Sequence, residues 1–133
     1  MKKLLLIFLF SIFIFCGCKY DRGIILFNSQ PITRENALTN AKTFQSGQRV
    51  YYLFIAPKRM ENKYTRVQVF KMTDKAPWGG NEVVRTKDFR LMKDQRYYHT
   101  DYFTFYESGR YVMQVFSTDD LQHPLSLNDF YVK

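Results

Sequence analysis

Short apolar or alternating segments recur about every ten residues along this chain, each closed by turn-forming residues, with no long amphipathic helical pattern between them. Arg49 to Ala56, reading RVYYLFIA, constrains the fold most. It is β-branched, aromatic and apolar at both parities, as in a central strand covered on two sides, and Pro57 closes it. Gly23 to Phe27 is a short apolar run ended by Asn28, Ser29 and Pro31. Tyr64 to Thr73 sets Val67 and Val69 on one face and Arg66 and Gln68 on the other. Glu82 to Leu91, Tyr97 to Phe105, Arg110 to Phe116 and Leu125 to Val132 complete the series, the last three with in-step apolar pairs such as Phe103 with Phe105. Residues 32–44 leave two readings open: Thr33 to Leu38 as a helical turn, and Phe44 before Ser46-Gly47 as the end of a strand.

These segments predict an all-β domain, a single antiparallel β-sandwich of about seven strands, with a small antiparallel β-barrel as the alternative. Strands do not alternate with long helices, which argues against a parallel α/β sheet.

The N-terminus is of another kind. Lys2 and Lys3 precede twelve residues, Leu4 to Phe15, of which only Ser11 is polar. That is a secretory leader pattern, too short for the roughly 20 apolar residues a bilayer span needs. Phe15-Cys16-Gly17-Cys18 then resembles the lipobox of bacterial lipoproteins, with Gly17 and Cys18 matching well and Phe15 and Cys16 a relaxed form. The resemblance implies cleavage before Cys18, acyl chains on that residue, and three divisions of the chain: a signal peptide over 1–17, a short lipidated tether over 18–22 and a β-sandwich over 23–133. Removing seventeen of 133 residues leaves 116, enough for one core. No cysteine then remains beyond the acylated one, so the domain is stabilised without disulfides. Without Lys2 and Lys3 the basic residues fall from 20 to 18 against 12 acids, a formal excess of six that favours anionic partners.

A second resemblance concerns the fold. Glu107, Gly109 and Tyr111 in the run Phe105 to Met113 match the acidic-x-Gly-x-Tyr stretch at the tyrosine corner of immunoglobulin-like domains, with Met113 where those domains have their second cysteine. It implies an Ig-like or fibronectin-III-like sandwich without the disulfide, a Tyr111 hydroxyl bonded back to the preceding turn, and Tyr52 or Phe54 as apolar partners across the core.

Residues for catalysis are not assembled in the sequence. His99 and His123 stand 24 apart, outside metal-ligand spacings, and read as surface or loop residues. No free thiol remains after acylation, and no serine-elbow or Ser-x-x-Lys pattern occurs. Asp119-Asp120 reads as a turn. The expectation is a protein that is not an enzyme and needs no cofactor or metal.

Two features bear on binding. Arg85, Lys87, Arg90, Lys93 and Arg96 are five cations within twelve residues, readable as a surface for an anionic partner or as the charged edge of a sheet. Trp78, in a Pro-Trp-Gly-Gly loop, is readable as a displayed interface anchor or as a plug for an open end of the sandwich. The functional expectation is a membrane-anchored extracytoplasmic lipoprotein, a non-catalytic interaction or scaffold module of the bacterial envelope. The alternative is a carrier whose barrel interior holds a lipid or other apolar ligand. The partners expected are the membrane, through Cys18, and a protein or anionic envelope component; nucleic acid is disfavoured. Lys19 after the cysteine and a short tether favour an outer-membrane position facing the periplasm.

Overall fold

The computed structural model describes residues 22–73 and 80–133, so Cys18, the leader and Trp78 lie outside the described residues. Eight strands run in chain order: β1 (Ile24–Asn28), β2 (Thr43–Phe44), β3 (Arg49–Ile55), β4 (Tyr64–Met72), β5 (Asn81–Arg90), β6 (Tyr98–Thr104), β7 (Gly109–Ser117) and β8 (Ser126–Val132). They form a three-stranded sheet, β1-β3-β6, and a five-stranded sheet, β2-β8-β7-β4-β5. All pairings are antiparallel except β2 with β8, which is parallel. Neither sheet closes on itself, so the barrel alternative is not the fold. The split of β1, β3 and β6 from β4, β7 and β8 is the immunoglobulin-like arrangement, without a fourth strand beyond β6.

Alternation explains the layers. Tyr52 and Phe54 of β3, Val67 and Val69 of β4, Tyr111, Met113 and Val115 of β7, and Phe130 and Val132 of β8 all enter one core. Aromatic rings dominate its centre: Tyr111 stacks on Phe130 at 5.5 Å, and Phe105 lies 4.6 Å from Tyr111 and 5.4 Å from Phe130. Tyr52 stacks on Phe103 rather than on Tyr111. The space between the sheets is therefore filled by mutually packed rings.

The corner between β6 and β7 takes the geometry its sequence implies. Tyr111 Oη donates to the Glu107 carbonyl at 2.6 Å, Gly109 has φ +154°, and Met113 is fully buried. Lys71 Nζ pairs with Glu107 at 2.7 Å over this turn.

Residues 34–38 form a turn rather than a helix. Thr33 and Asn36 exchange backbone-to-side-chain bonds, with Asn36 Oδ1 accepting from Thr33 N at 2.7 Å. Such local side-chain bonding competes with helical bonding.

Candidate functional site: a cationic, apolar end of the sandwich

β1 begins, β3 ends, β4 begins, β5 ends and β6 begins at one end of the molecule, called proximal here because the described chain enters it at Arg22. The register fixes this, since Ile24 pairs with Ile55, Ile55 with Tyr98, and Tyr64 with Arg90. Two loops cover it, residues 56–63 and 91–97, tied to each other by backbone bonds. Ala56 N donates to Tyr97 O at 2.7 Å, Met60 N to Arg96 O at 2.8 Å, and Leu91 N to Lys63 O at 2.6 Å.

Arg96 belongs to this clamp. Its guanidinium is buried, and Nη1 donates to the carbonyls of Met60 and Glu61 at 2.8 and 2.9 Å. The expected surface role for Arg96 is thus corrected. Two backbone carbonyls turned inward by the 56–63 loop need donors, and the Nη1 amino group supplies both.

The other four cations of the segment divide as well. Lys87 reaches across the gap between the free edges of β5 and β6 to Asp101 at 2.8 Å, and the Arg85 guanidinium lies over the Phe105 ring at 5.7 Å. Both close the open seam of the sandwich. A bulge at Val84 in β5, where Val69 pairs with Arg85 but Phe70 with Val83, bends this edge further. Arg90 and Lys93 alone project from the proximal end, where they join Arg22, Lys58, Arg59 and Lys63, all exposed.

None of these six forms an ion pair with a described residue, whereas Lys42, Arg66, Lys71, Lys87 and Arg110 each hold an aspartate or glutamate. Glu61 and Asp94 lie in the 56–63 and 91–97 loops, and Asp119 and Asp120 in the turn after β7, where Thr118 N donates to Tyr64 O at 3.2 Å and His123 engages Asp120 at 3.1 Å. Beside the cations, large apolar side chains stand in solvent: Ile24, Tyr64, Met92, Tyr97, Tyr98 and Leu121. Sequence reasoning missed this grouping because it joins four separated segments. The signal available was the charge of the Lys58-Arg59 turn after Pro57.

His99 is a core residue rather than the surface or loop residue expected, while His123 is exposed on its turn. His99 Nε2 meets Tyr52 Oη at 2.9 Å and its ring packs 4.3 Å from Phe89. Burial holds its pKa below the ordinary histidine value, with Asp101 opposing and Lys87 reinforcing the shift. Burial, then the charge of Asp101, pushes the Tyr52 phenol far above its usual range. Neither group is accessible to a substrate. Among the described residues no group of three or more His, Cys, Asp or Glu is placed to hold a metal ion.

No protein-family profile and no curated protein matches the chain. Solved structures do resemble it. The soluble domain of PmoD from Methylocystis sp. ATCC 49242 aligns over 86% of this chain and 93% of its own at 12% identity, with a TM-score of 0.50. A superoxide reductase (neelaredoxin) from Ignicoccus hospitalis aligns over 84% and 80% at 8% identity with a TM-score of 0.49. An immunoglobulin-like protein from Pseudomonas aeruginosa aligns over 83% and 92% at 13% identity with a TM-score of 0.47. At these identities the likeness is one of fold.

Proposed function

We propose that the chain is a membrane-anchored lipoprotein of the bacterial envelope whose sandwich is a non-catalytic interaction module, seated by its proximal end on an anionic lipid surface. The observation that carries this reading is the coincidence, at the end where the chain enters, of six cations without ion-pair partners among the described residues and six exposed apolar side chains. Cations near an anionic leaflet contribute about 1 kcal/mol each, and apolar groups beside them enter the headgroup zone. Cys18 lies four residues before Arg22, so lipid on it would present this end to the bilayer. The outer membrane, facing the periplasm, is the proposed location.

Hydrogen exchange of the full chain in vesicles tests the seating. Phosphatidylglycerol vesicles should slow exchange in 56–63 and 91–97 relative to phosphatidylcholine vesicles, and Lys58→Glu with Lys93→Glu should abolish the difference. Equal exchange in both lipids would overturn the seating. Incorporation of labelled palmitate that persists in Cys18→Ser would overturn the lipid anchor. Cleavage of the domain by protease added to intact cells would overturn the periplasmic position.

A further inference from the structure

The outer face of the three-stranded sheet is largely apolar toward its proximal end, where Leu53, Ile55 and Tyr98 lie. Leu53 points away from the sandwich core, opposite in parity to Tyr52 and Phe54, yet is only 6% exposed. What covers it is the segment between β1 and β2, which folds back across β3 and β6. Asparagines fix this segment: Asn28 Nδ2 donates to Asn36 O at 3.2 Å, Asn36 Nδ2 to Pro31 O at 2.9 Å, and Asn40 Oδ1 accepts from Phe27 N at 3.3 Å. Between the segment and the sheet lies a groove of about 570 Å³, with Leu53 and Ile55 as its floor, Tyr97 and Tyr98 on one side and Ile32 and Ala37 on the other. Its size and apolar lining are those of a small-ligand site, commonly about 300–1,000 Å³.

We propose that this groove takes one acyl chain of an anionic phospholipid from the bilayer on which the proximal end sits. The proposal rests on the seating described above. Position argues for it, because Ile55 and Tyr98, which line the groove, are also the register partners at which the proximal end begins. Gly23 lies against the Ile55 carbonyl, and Cys18 precedes it by only five residues. Charge argues for it too. Arg34 is the single charged residue of the lining, is exposed, and has no ion-pair partner among the described residues. Thr33, Arg34 and Ala37 line the groove over Leu53 and Ile55, whereas Ile32 also borders a smaller cavity over Tyr51 and Tyr102. Arg34 thus stands on the proximal side of Ile32, where the phosphate of a lipid whose chain fills the groove would lie. Tyrosines at the rim, apolar in body and polar at the tip, suit the boundary between headgroup and hydrocarbon.

The test uses the full chain in vesicles of phosphatidylcholine and phosphatidylglycerol that carry a diazirine in one acyl chain of the phosphatidylglycerol. After irradiation, label should concentrate on peptides bearing Leu53, Ile55, Tyr97 and Tyr98, and stay low on Leu127 and Tyr131 of the opposite sheet. Ala37→Trp, which fills the groove, should reduce groove label about tenfold, the change that about 1.4 kcal/mol of lost binding produces. Arg34→Glu, at an exposed position, should remove the preference for the phosphatidylglycerol probe over a phosphatidylcholine probe of the same design. Groove label that survives Ala37→Trp in a variant with native melting would overturn the site, as would label confined to Tyr64, Met92 and Leu121. In the latter case, loop protection on anionic vesicles would leave the seating standing without the groove.

Discussion

Tyr111 is almost wholly buried, and its hydroxyl is bonded to the carbonyl of the turn that its own strand leaves. Tyr111→Phe keeps the ring packing on Phe105 and Phe130 but strips that carbonyl of its donor, so it should cost roughly 1–3 kcal/mol in urea unfolding. A change within about 0.5 kcal/mol, usual for surface positions, would mean that the corner contributes nothing. His99 makes a second prediction at this scale. Its folded pKa is lowered, so the unfolded chain binds a proton that the folded chain refuses. Stability should be full above the ordinary histidine range, decline as pH falls through about 6.5, and level off below the lowered folded value. His99→Leu should remove this histidine step from a series of melts between neutral and acid pH, and a step of unchanged size would assign it to other groups.

The elements were the readable part of this sequence. Apart from β2, the strands from Gly23 onward are marked by alternation or by short apolar runs closed by turn residues, and the observed strands differ from the expected ones by a residue or two at their ends. β2 was legible only at its end, Phe44 before Ser46-Gly47, because it is two residues long and pairs in parallel with β8, a pairing set by the distant C-terminus rather than by its own pattern. RVYYLFIA announced cover on both faces, but not that the second cover is an asparagine-braced segment with a groove beneath it. Arg96 looked like its cationic neighbours, since nothing local says that two carbonyls of the 56–63 loop turn toward it. That role yields a prediction for the paired loops. Arg96→Met keeps an unbranched stem but removes the donor of both carbonyls, and should destabilise the domain by roughly 1–3 kcal/mol. Exchange should rise first in 56–63 and 91–97, and a uniform rise across all strands would argue against a local clamp.

At the scale of the whole molecule the proposed lipid anchor makes residues 18–22 a tether whose length can be tested. Between Cys18 and Arg22 the chain reaches at most about 14 Å when taut, so a lipidated Cys18 holds the proximal loops within reach of headgroups at all times. Inserting about twenty glycine and serine residues before Arg22 would give a flexible tether of roughly 25 Å root-mean-square reach. Attachment through the acyl chains would be unchanged, but the local concentration of the loops at the surface would fall with tether length. Loop contacts made by six unpaired cations should then depend on their own affinity and become screened within a Debye length of about 10 Å at 0.1 M salt. The expected outcome is that the long-tether chain stays on phosphatidylglycerol vesicles, yet loses exchange protection of 56–63 and 91–97 as salt rises, while the native tether retains most of it. Identical salt profiles for the two chains would show that the short tether adds nothing to the seating, and that the loops hold the surface by charge and apolar contact alone.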